Sequence, residues 1–135
     1  MRFLHVSPIM NVSDVGASLE WLERLGWERG FTWPRGGDQI TFASVQGAGH
    51  TELFLCLDGQ GSRGGPSPKF AGDDETGGVW MSWWVQTPAD VDGVHERAVE
   101  LGYEVSMPPK DEPWGVREFH LRHPDGHTFR ISSAL

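Results

Sequence analysis

Residues 79–85 form a short, almost wholly apolar segment with Ser82 as its one polar residue, and they hold three of the chain's seven tryptophans. Aromatic and β-branched residues between Gly- and Pro-containing flanks predict a β-strand. Alternation places Trp80 and Trp84 on one face and Trp83 on the other. Both faces carry indole, so both require an apolar environment. We expect one face to join the core and the other to form the wall of a ligand groove.

Two further stretches have the apolar spacing of helices. The first begins at Ser13-Asp14 and ends at Leu25-Gly26. The second begins at Thr87-Pro88, with a Thr cap and Pro at the first helical position, and ends at Gly102. Strands are predicted at residues 3–12, 27–31, 39–45, 51–57, 79–85, 103–107, 116–122 and 127–132, with loops at 58–77 and 108–115.

The elements recur along the chain at a nearly constant spacing. Asp14-Val15 recurs as Asp90-Val91, and Leu25-Gly26 recurs at the same spacing as Leu101-Gly102; Gly49-His50-Thr51 recurs as Gly126-His127-Thr128 at a spacing longer by one. Neither half could bury both faces of its sheet alone, so the halves must pair. We therefore predict an α+β fold of two βαβββ modules in tandem with cupped sheets. The single domain of residues 1–135 would comprise module one (1–57), a linker (58–77) and module two (78–135).

Composition and charge narrow the classes of partner. The chain is 38% hydrophobic and 11% aromatic, with a net charge of −8. This acidity argues against nucleic acid and is compatible with a cationic ligand or with solubility alone. One cysteine, Cys56, excludes an internal disulfide and indicates a reducing compartment. Without a signal-like N-terminus or a run of ~20 apolar residues, a cytoplasmic protein that does not enter membranes is expected.

The duplicated pattern resembles the vicinal-oxygen-chelate superfamily, which includes glyoxalase I, extradiol dioxygenases, fosfomycin-resistance enzymes and bleomycin-resistance proteins. Residues 112–119 (EPWGVREF), followed by 121–126 (LRHPDG), resemble the bleomycin-binding branch. The tryptophan-rich strand and Leu53-Phe54-Leu55 resemble it too. The resemblance implies a groove lined by alternate residues of cupped sheets. It also implies a homodimer that holds its ligand stoichiometrically, at the subunit interface, without converting it.

Enzymes of that superfamily hold a divalent metal with His and Glu side chains. The resemblance places those positions on Ser7, Glu52 or Phe54, Trp80 and Arg130. An indole blocks the space and a guanidinium repels the cation, so the minimum of three donors and an open position is not met. A register change of two would add His5 but would not remove Arg130. We predict no metal and no cofactor, and interpret His120, His123 and His127 as solvated or turn-stabilising.

Strand periodicity assigns side chains to the two faces of each sheet. The helix side receives Leu53, Leu55, Leu57, Phe119, Leu121, Phe129 and Ile131, and the groove side receives Glu52, Phe54, Cys56, Glu118, His120, Thr128 and Arg130. The predicted ligand-binding residues come from the groove side of the strands, from the 108–115 loop, and from the residues just before the turn at 34–37. They are Trp80, Trp84, Trp114, Gly115, Phe54, Glu52, Phe31, Trp33, Glu118, His120 and Arg130. Trp21 and Trp83 are expected in the core or at a dimer interface. Trp114 could equally meet a partner subunit, and Phe31 and Trp33 could pack on their own sheet.

An aromatic wall with carboxylates suits a flat, cationic, heteroaromatic ligand. The first hypothesis is therefore a resistance-type protein that sequesters an aromatic antibiotic such as bleomycin and has no catalytic residues. Two alternatives are a metal-dependent enzyme of the same superfamily and a metal-free catalyst using Glu52, Glu118 or His120. A structural or partner-binding role is the fourth.

Overall fold

The computed structural model describes residues 1–36, 38–57 and 78–135. Gly37 and the predicted linker 58–77 lie outside the described residues, and the single-domain division stays a prediction. The chain divides into two compact units, Met1–Arg63 and Gly64–Leu135. In chain order the elements are β1 (Ile9–Val12), α1 (Val15–Arg24), β2 (Glu28–Trp33), β3 (Phe42–Gln46), β4 (Glu52–Leu57), β5 (Trp80–Trp84), α2 (Pro88–Glu100), β6 (Glu104–Glu112), β7 (Val116–Arg122) and β8 (Thr128–Ala134).

Each unit is a four-stranded mixed sheet with one helix, which confirms the predicted α+β fold of two βαβββ modules. The strand order is β1-β4-β3-β2 in module one and β5-β8-β7-β6 in module two. In both, the first strand runs parallel to the last, and the other neighbours are antiparallel. The helix is part of the crossover that a parallel pair requires.

Both helices begin where their capping residues predict. The Asp14 side chain accepts a hydrogen bond from the Ala17 backbone N–H of α1. In α2, Thr87 and Asp90 form a reciprocal capping box, and Pro follows the cap. Helix α1 packs on β2, β3 and β4, and α2 packs on β6, β7 and β8.

The predicted helix-facing side chains form the two cores. In module one the fully or nearly fully buried apolar residues are Met10, Val12, Val15, Leu19, Trp21, Leu22, Ala43, Val45, Leu53 and Leu55. In module two they are Val91, Ala98, Phe119, Leu121, Phe129 and Ile131. The expected core position of Trp21 is confirmed. Leu57 is half-buried. Each module thus buries the helix-facing side of its sheet, and the core does not include the opposite side.

The second helix of the repeat is longer than the first, and the match of Asp14-Val15 with Asp90-Val91 concealed this insertion. The two N-caps, Asp14 and Thr87, are closer together along the chain than the two C-caps, Leu25 and Leu101. Helix α2 is 13 residues long and α1 is 10, so the extra residues lie in the helix. Asp90 is therefore the third helical residue and not the equivalent of the cap Asp14.

The sequence pairs Gly49-His50-Thr51 with Gly126-His127-Thr128, and the structure shows that this pairing is wrong by one residue. Gly47 N–H donates to Thr51 O in the first turn, and His123 N–H donates to His127 O in the second. These equivalent bonds have the same spacing as the two C-caps, so Thr51 corresponds to His127. A shift of one would have placed core residues on the opposite face of the last strand. His50 and His127 thus do not occupy equivalent positions.

Two element boundaries differ from the prediction by more than three residues. The strand predicted at 3–12 begins at Ile9, and ladder pairing starts where Pro8 O accepts the Phe54 N–H. The loop predicted at 108–115 is strand as far as Glu112. The two prolines of β6, Pro108 and Pro109, are tolerated because β6 is an edge strand with a register irregularity between Met107 and Lys110.

Across the described residues, neither helix is long and apolar enough to cross a membrane.

Candidate functional site

The face of the module-two sheet opposite α2 carries an open pocket of about 580 Å³. Ligand pockets commonly measure about 300–1,000 Å³. All four strands of the sheet and the β6–β7 turn contribute to it. Its lining residues are Trp80, Ser106, Met107, Lys110, Glu112, Trp114, Glu118, His120, Arg122 and Arg130. Five of the eleven predicted ligand-binding residues thus meet in one pocket.

The tryptophan-rich strand β5 supplies one wall of this pocket. Burial alternates along it as predicted, so Trp80 and Trp84 share the face away from Trp83. Trp83 is half-buried and stacks on Phe129, a core residue, with ring centroids 3.9 Å apart. Trp80 is 38% exposed and meets the ring of His120 edge-on, with centroids 5.4 Å apart. Trp84 is 65% exposed. The groove side of β5 therefore presents indole to solvent.

The β6–β7 turn presents a third indole at the pocket. Gly115 has φ +89°, a left-handed backbone conformation that favours glycine. Its N–H donates to Glu112 O, and its carbonyl accepts from the Leu135 N–H. This turn holds Trp114 with 60% of its surface exposed. Gly115 contributes by shaping the turn that positions Trp114.

Glu118 lies at the floor of the pocket and is 2% exposed. One of its carboxylate oxygens, Oε2, accepts from Arg130 Nη2 at 2.8 Å and from Ser132 Oγ at 3.2 Å. The other, Oε1, is 3.6 Å from His120 Nε2. Two hydrogen-bond donors thus stabilise the buried charge, as a carboxylate in this position requires.

Glu112, the other carboxylate of the pocket, is also paired with a cation. It is 7% exposed, and Lys110 Nζ lies 2.9 Å from its Oε1. The prediction of a cationic ligand depended on indole faces and on carboxylates free to face the ligand. In this pocket both carboxylates already face a cation of the chain, so the carboxylates do not support that charge assignment in module two, and it stays a prediction.

The surroundings of His120 favour its neutral form. Burial lowers the pKa of His120 from its ordinary value of 6.5, and this outweighs the opposite effect of Glu118. Its Nε2 is buried without a hydrogen-bond partner among the described residues. A neutral imidazole between Trp80 and Glu118 therefore extends the apolar and weakly polar part of the lining.

Module one carries an aromatic cluster at the corresponding face of its sheet. Phe31, Phe42 and Phe54 contact one another with ring centroids 5.4–5.8 Å apart. A shallow pocket of about 390 Å³ is lined by Phe31, Thr32, Trp33, Arg35 and Phe42. Phe31 is 46% exposed and Trp33 is 59% exposed. The aromatic residues predicted for the groove of module one thus lie on this face of the sheet. Phe31 packs on Phe42 and Phe54 of its own sheet.

Glu52 lies apart from that cluster, in a smaller polar pocket of module one. The pocket measures about 240 Å³ and is lined by His5, Gln46, Gly47, Gly49, His50, Thr51 and Glu52. Ser7 Oγ donates to Glu52 Oε1 at 3.0 Å. The His5 and His50 rings stack with centroids 6.3 Å apart. Glu52 and Phe54, predicted as neighbours in one groove, line different parts of their sheet.

The residues at the superfamily's metal positions do not form a donor set. Ser7 bonds Glu52, Trp80 contacts His120, and Arg130 is paired with Glu118. No group of three or more His, Cys, Asp or Glu side chains within 1–36, 38–57 and 78–135 is arranged to hold a metal ion. A guanidinium in place of a carboxylate ligand would repel a divalent cation.

Two of the three histidines in the second cluster stabilise the β7–β8 turn, as interpreted from the sequence. His123 Nδ1 accepts from the Asp125 N–H, and His127 Nδ1 accepts from the Val79 N–H, each at 3.0 Å. They are 2% and 0% exposed. Gly78 lies so close to this turn that an added Cβ would be 2.4 Å from Gly126 O. The turn thereby fixes the start of β5 and with it Trp80.

The sequence reasoning missed the contribution of β6 to the pocket. Ser106, Met107, Lys110 and Glu112 were assigned to a strand end and a loop, and no ligand role was given to them. The alternation of polar and apolar residues from Glu104 onward was a usable signal. The prolines within it obscured the strand.

The fold is similar to several solved structures. TioX from Micromonospora sp. ML1 superposes with a TM-score of 0.74 at 22% identity, covering 97% of this chain and 99% of that one. A superfamily member from Sphaerobacter thermophilus DSM 20745 gives 0.67 at 25% identity, covering 97% and 98%. Lactoylglutathione lyase from Agrobacterium tumefaciens gives 0.69 at 16% identity, covering 96% and 92%. No curated protein matches the chain.

A family model matches residues 2–131, nearly the whole chain. The sequence resemblance is thus confirmed at the level of the superfamily. The protein belongs to the Glyoxalase/Bleomycin resistance protein/Dioxygenase superfamily.

Proposed function

We propose that the protein binds and sequesters a planar aromatic natural product, of the size of an antibiotic, without converting it chemically. The observation that carries the proposal is the module-two pocket, where two partly exposed indoles, Trp80 and Trp114, line a hollow of about 580 Å³. Large exposed aromatic side chains in a concavity are typical of ligand sites. Stacking on an indole contributes about 0.5–1.5 kcal/mol beyond burial of area.

The ionisable groups of the pocket support binding over catalysis. Glu118 is held by Arg130 and Ser132, so it is engaged in ion pairing and hydrogen bonding. The superfamily's metal positions carry serine, tryptophan and arginine side chains that do not suit a divalent ion. Both features favour a site that retains its ligand.

Bleomycin is the first ligand to test, because the sequence segments 112–119 and 121–126 resemble the bleomycin-binding branch. Titration with bleomycin, and with a panel of planar aromatic antibiotics that includes anionic members, should find at least one that quenches tryptophan fluorescence and saturates at a fixed stoichiometry. That ligand should be recovered unchanged by mass spectrometry. Trp80→Leu and Trp114→Leu should each weaken binding about tenfold, because each removes one stacking surface and its buried area. Trp21→Phe, in the core of module one, is the matched control and should leave the affinity unchanged.

Absence of quenching at a large molar excess of bleomycin would remove bleomycin as the ligand. A panel of planar aromatic antibiotics that all fail to bind would remove the class. Turnover of any of them would replace sequestration with catalysis.

We also propose that the protein acts as a homodimer. Phe3, Leu4 and Val6 are 94%, 90% and 83% exposed, and such a run of apolar side chains is typical of an interface. Sedimentation equilibrium should give twice the monomer mass of 15.0 kDa. A monomer at micromolar concentration would contradict the proposal.

A further inference from the structure

The module-two pocket has a charge balance opposite to that of the chain. Its lining holds three cationic side chains, Lys110, Arg122 and Arg130, and two carboxylates, Glu112 and Glu118. With His120 neutral, the lining side chains sum to a charge of +1, whereas the whole chain is at −8. Glu104, which lies 3.6 Å from Arg122, is outside the lining and is 63% exposed. A local potential of this sign in an acidic protein favours anions at this site.

The cations stand closer to solvent than the carboxylates that pair with them. Side-chain exposure is 55% for Lys110 and 5% for Glu112. It is 36% for Arg130 and 2% for Glu118. In each pair the negative charge is buried beneath the positive one. A ligand entering the hollow therefore meets the cationic member of each pair first.

Arg130 has hydrogen-bonding capacity left over. Its Nη2 donates to Glu118, and across the parts of the chain that the structure describes this is the one hydrogen bond of its guanidinium. A guanidinium has five N–H donors in a planar fork that fits a carboxylate. The bond to Glu118 fixes the side chain while leaving donors for a ligand.

Trp80 lies beside Arg130 on the same face of the sheet. Ser82 is the Cα partner of Arg130 on β5, and Trp80 is two residues before it, so the two side chains are diagonal neighbours on adjacent strands. A flat ring against the indole would therefore place its substituents within reach of the guanidinium. The aromatic and the cationic surfaces are parts of one site.

We propose that the module-two pocket selects a planar aromatic ligand that carries an anionic group, such as a carboxylate or a phenolate, which Arg130 binds while the ring packs on Trp80. The inference rests on the proposed function and deepens it by naming the charge of the ligand. It replaces the cationic ligand predicted from the sequence. Charge-assisted hydrogen bonds from a guanidinium are about twice as strong as neutral ones, and this is the source of the selectivity.

Three probes of equal ring size separate charge from stacking: naphthoate, naphthylmethanol and naphthylmethylammonium. Calorimetric titration of the full chain should give an affinity for naphthoate about tenfold higher than for the neutral alcohol, since a charge-assisted bond is gained. The ammonium should bind more weakly than the alcohol. Raising the salt concentration should weaken binding of naphthoate and leave that of the alcohol unchanged.

Arg130→Gln should abolish the preference for naphthoate while retaining affinity for the alcohol. Arg97→Gln, on the exposed surface of α2, removes the same charge outside the pocket and should change neither. Because Arg130→Gln also removes the partner of buried Glu118, Arg122→Gln provides a second variant, since the carboxylate that pairs with Arg122, Glu104, is exposed. It should reduce the preference severalfold.

The outcomes distinguish this inference from the function on which it rests. Equal affinity for all three probes, or tightest binding of the ammonium, would overturn the anionic ligand and leave aromatic sequestration standing. Failure of all three probes and of the aromatic antibiotics would overturn both.

Discussion

The two modules share one backbone plan but differ in what they place on the free face of the sheet. Phe42 and Phe54 pair across β3 and β4 in module one, with ring centroids 5.4 Å apart. The equivalent positions of β7 and β8 hold Glu118 and Arg130, which form an ion pair at 2.8 Å. One pair of positions thus holds an apolar contact in one module and a charged contact in the other.

The difference shows that the repeat constrains the buried face more than the free face. On the helix side both modules use aliphatic and aromatic residues, such as Leu53 and its equivalent Phe129. That face must exclude water to stabilise the sheet–helix layer. The free face has no such requirement, so module two could acquire charged groups and indoles while keeping the fold.

The largest expected effect concerns the β7–β8 turn, where module two buries two histidines and module one has Gly47 and Thr51. Burial, helped by the neighbouring His127, lowers the pKa of His123 from 6.5 to about 4, although Asp125 acts in the opposite direction. The unfolded state therefore takes up the proton more readily. The contribution of neutral His123 to the free energy of unfolding should be fully present above pH 6.5. It should fall by about 3 kcal/mol between pH 7 and pH 4.

Urea unfolding across this pH range measures that loss. His123→Asn keeps an acceptor for the Asp125 N–H and should remove most of this pH dependence. His50→Asn, at the exposed turn of module one, is the matched control and should leave the profile unchanged. Identical profiles for wild type and His123→Asn would show that the buried histidine does not set the acid response.

The second prediction concerns the ion pair that replaces the phenylalanine pair. Glu118→Leu should cost about 2 kcal/mol, less than a fully buried pair would, because Arg130 is partly exposed to water. The double variant Glu118→Leu/Arg130→Leu recreates apolar chemistry of the module-one kind. It should recover at least half of the loss. Denaturant unfolding of both single variants and the double variant gives the coupling energy.

Phe42→Leu is the corresponding change in module one and should cost about 1 kcal/mol from lost contact area alone. If the double variant is no more stable than Glu118→Leu, the ion pair of Glu118 and Arg130 does not take the place of the phenylalanine contact of module one. The comparison between the modules would then fail at its central point.

The smallest effects are expected at the helix N-termini, where the two modules use different caps. Asp14→Ala and Thr87→Ala should each cost about 1 kcal/mol, since each leaves one backbone N–H without its acceptor. Asp90→Ala should lower the free energy of unfolding by about 0.5 kcal/mol more than a surface substitution does. It removes the hydrogen bond from the Thr87 backbone N–H to the Asp90 carboxylate, which is one of the two bonds of the capping box. Thermal unfolding followed by circular dichroism measures all three.

Asp14→Ser and Thr87→Ser retain a capping oxygen and serve as controls close to wild-type stability. A loss on Asp14→Ser as large as that on Asp14→Ala would mean that the charge of Asp14, and not its capping bond, stabilises α1.

Much of the fold could be predicted because its signals are local. Helix starts and stops depend on caps and glycines near in sequence, as at Asp14 and Gly102. Strand faces depend on a period of two, and β5 follows it through its three tryptophans. The errors arose where a local signal was ambiguous, as with the prolines of β6, or where one residue of offset was misjudged, as at the β7–β8 turn.

The candidate site was predictable in much of its membership but not in its electrostatics. Periodicity assigned Glu118 and Arg130 to the same face, but it carries no information about which neighbours on adjacent strands make contact. Sequence alone therefore left Glu118 as a carboxylate that could attract a cation. The sheet register brought Arg130 against it and buried it.

What the sequence determined by itself is the duplicated βαβββ plan, the core faces and the indoles of the free face, because these follow from short-range periodicity. The tertiary structure decided which charges are paired, which remain exposed, and that the module-two hollow is net positive. Charge pairing depends on distances of a few ångströms between residues on different strands, and those distances exist only once the sheet has formed.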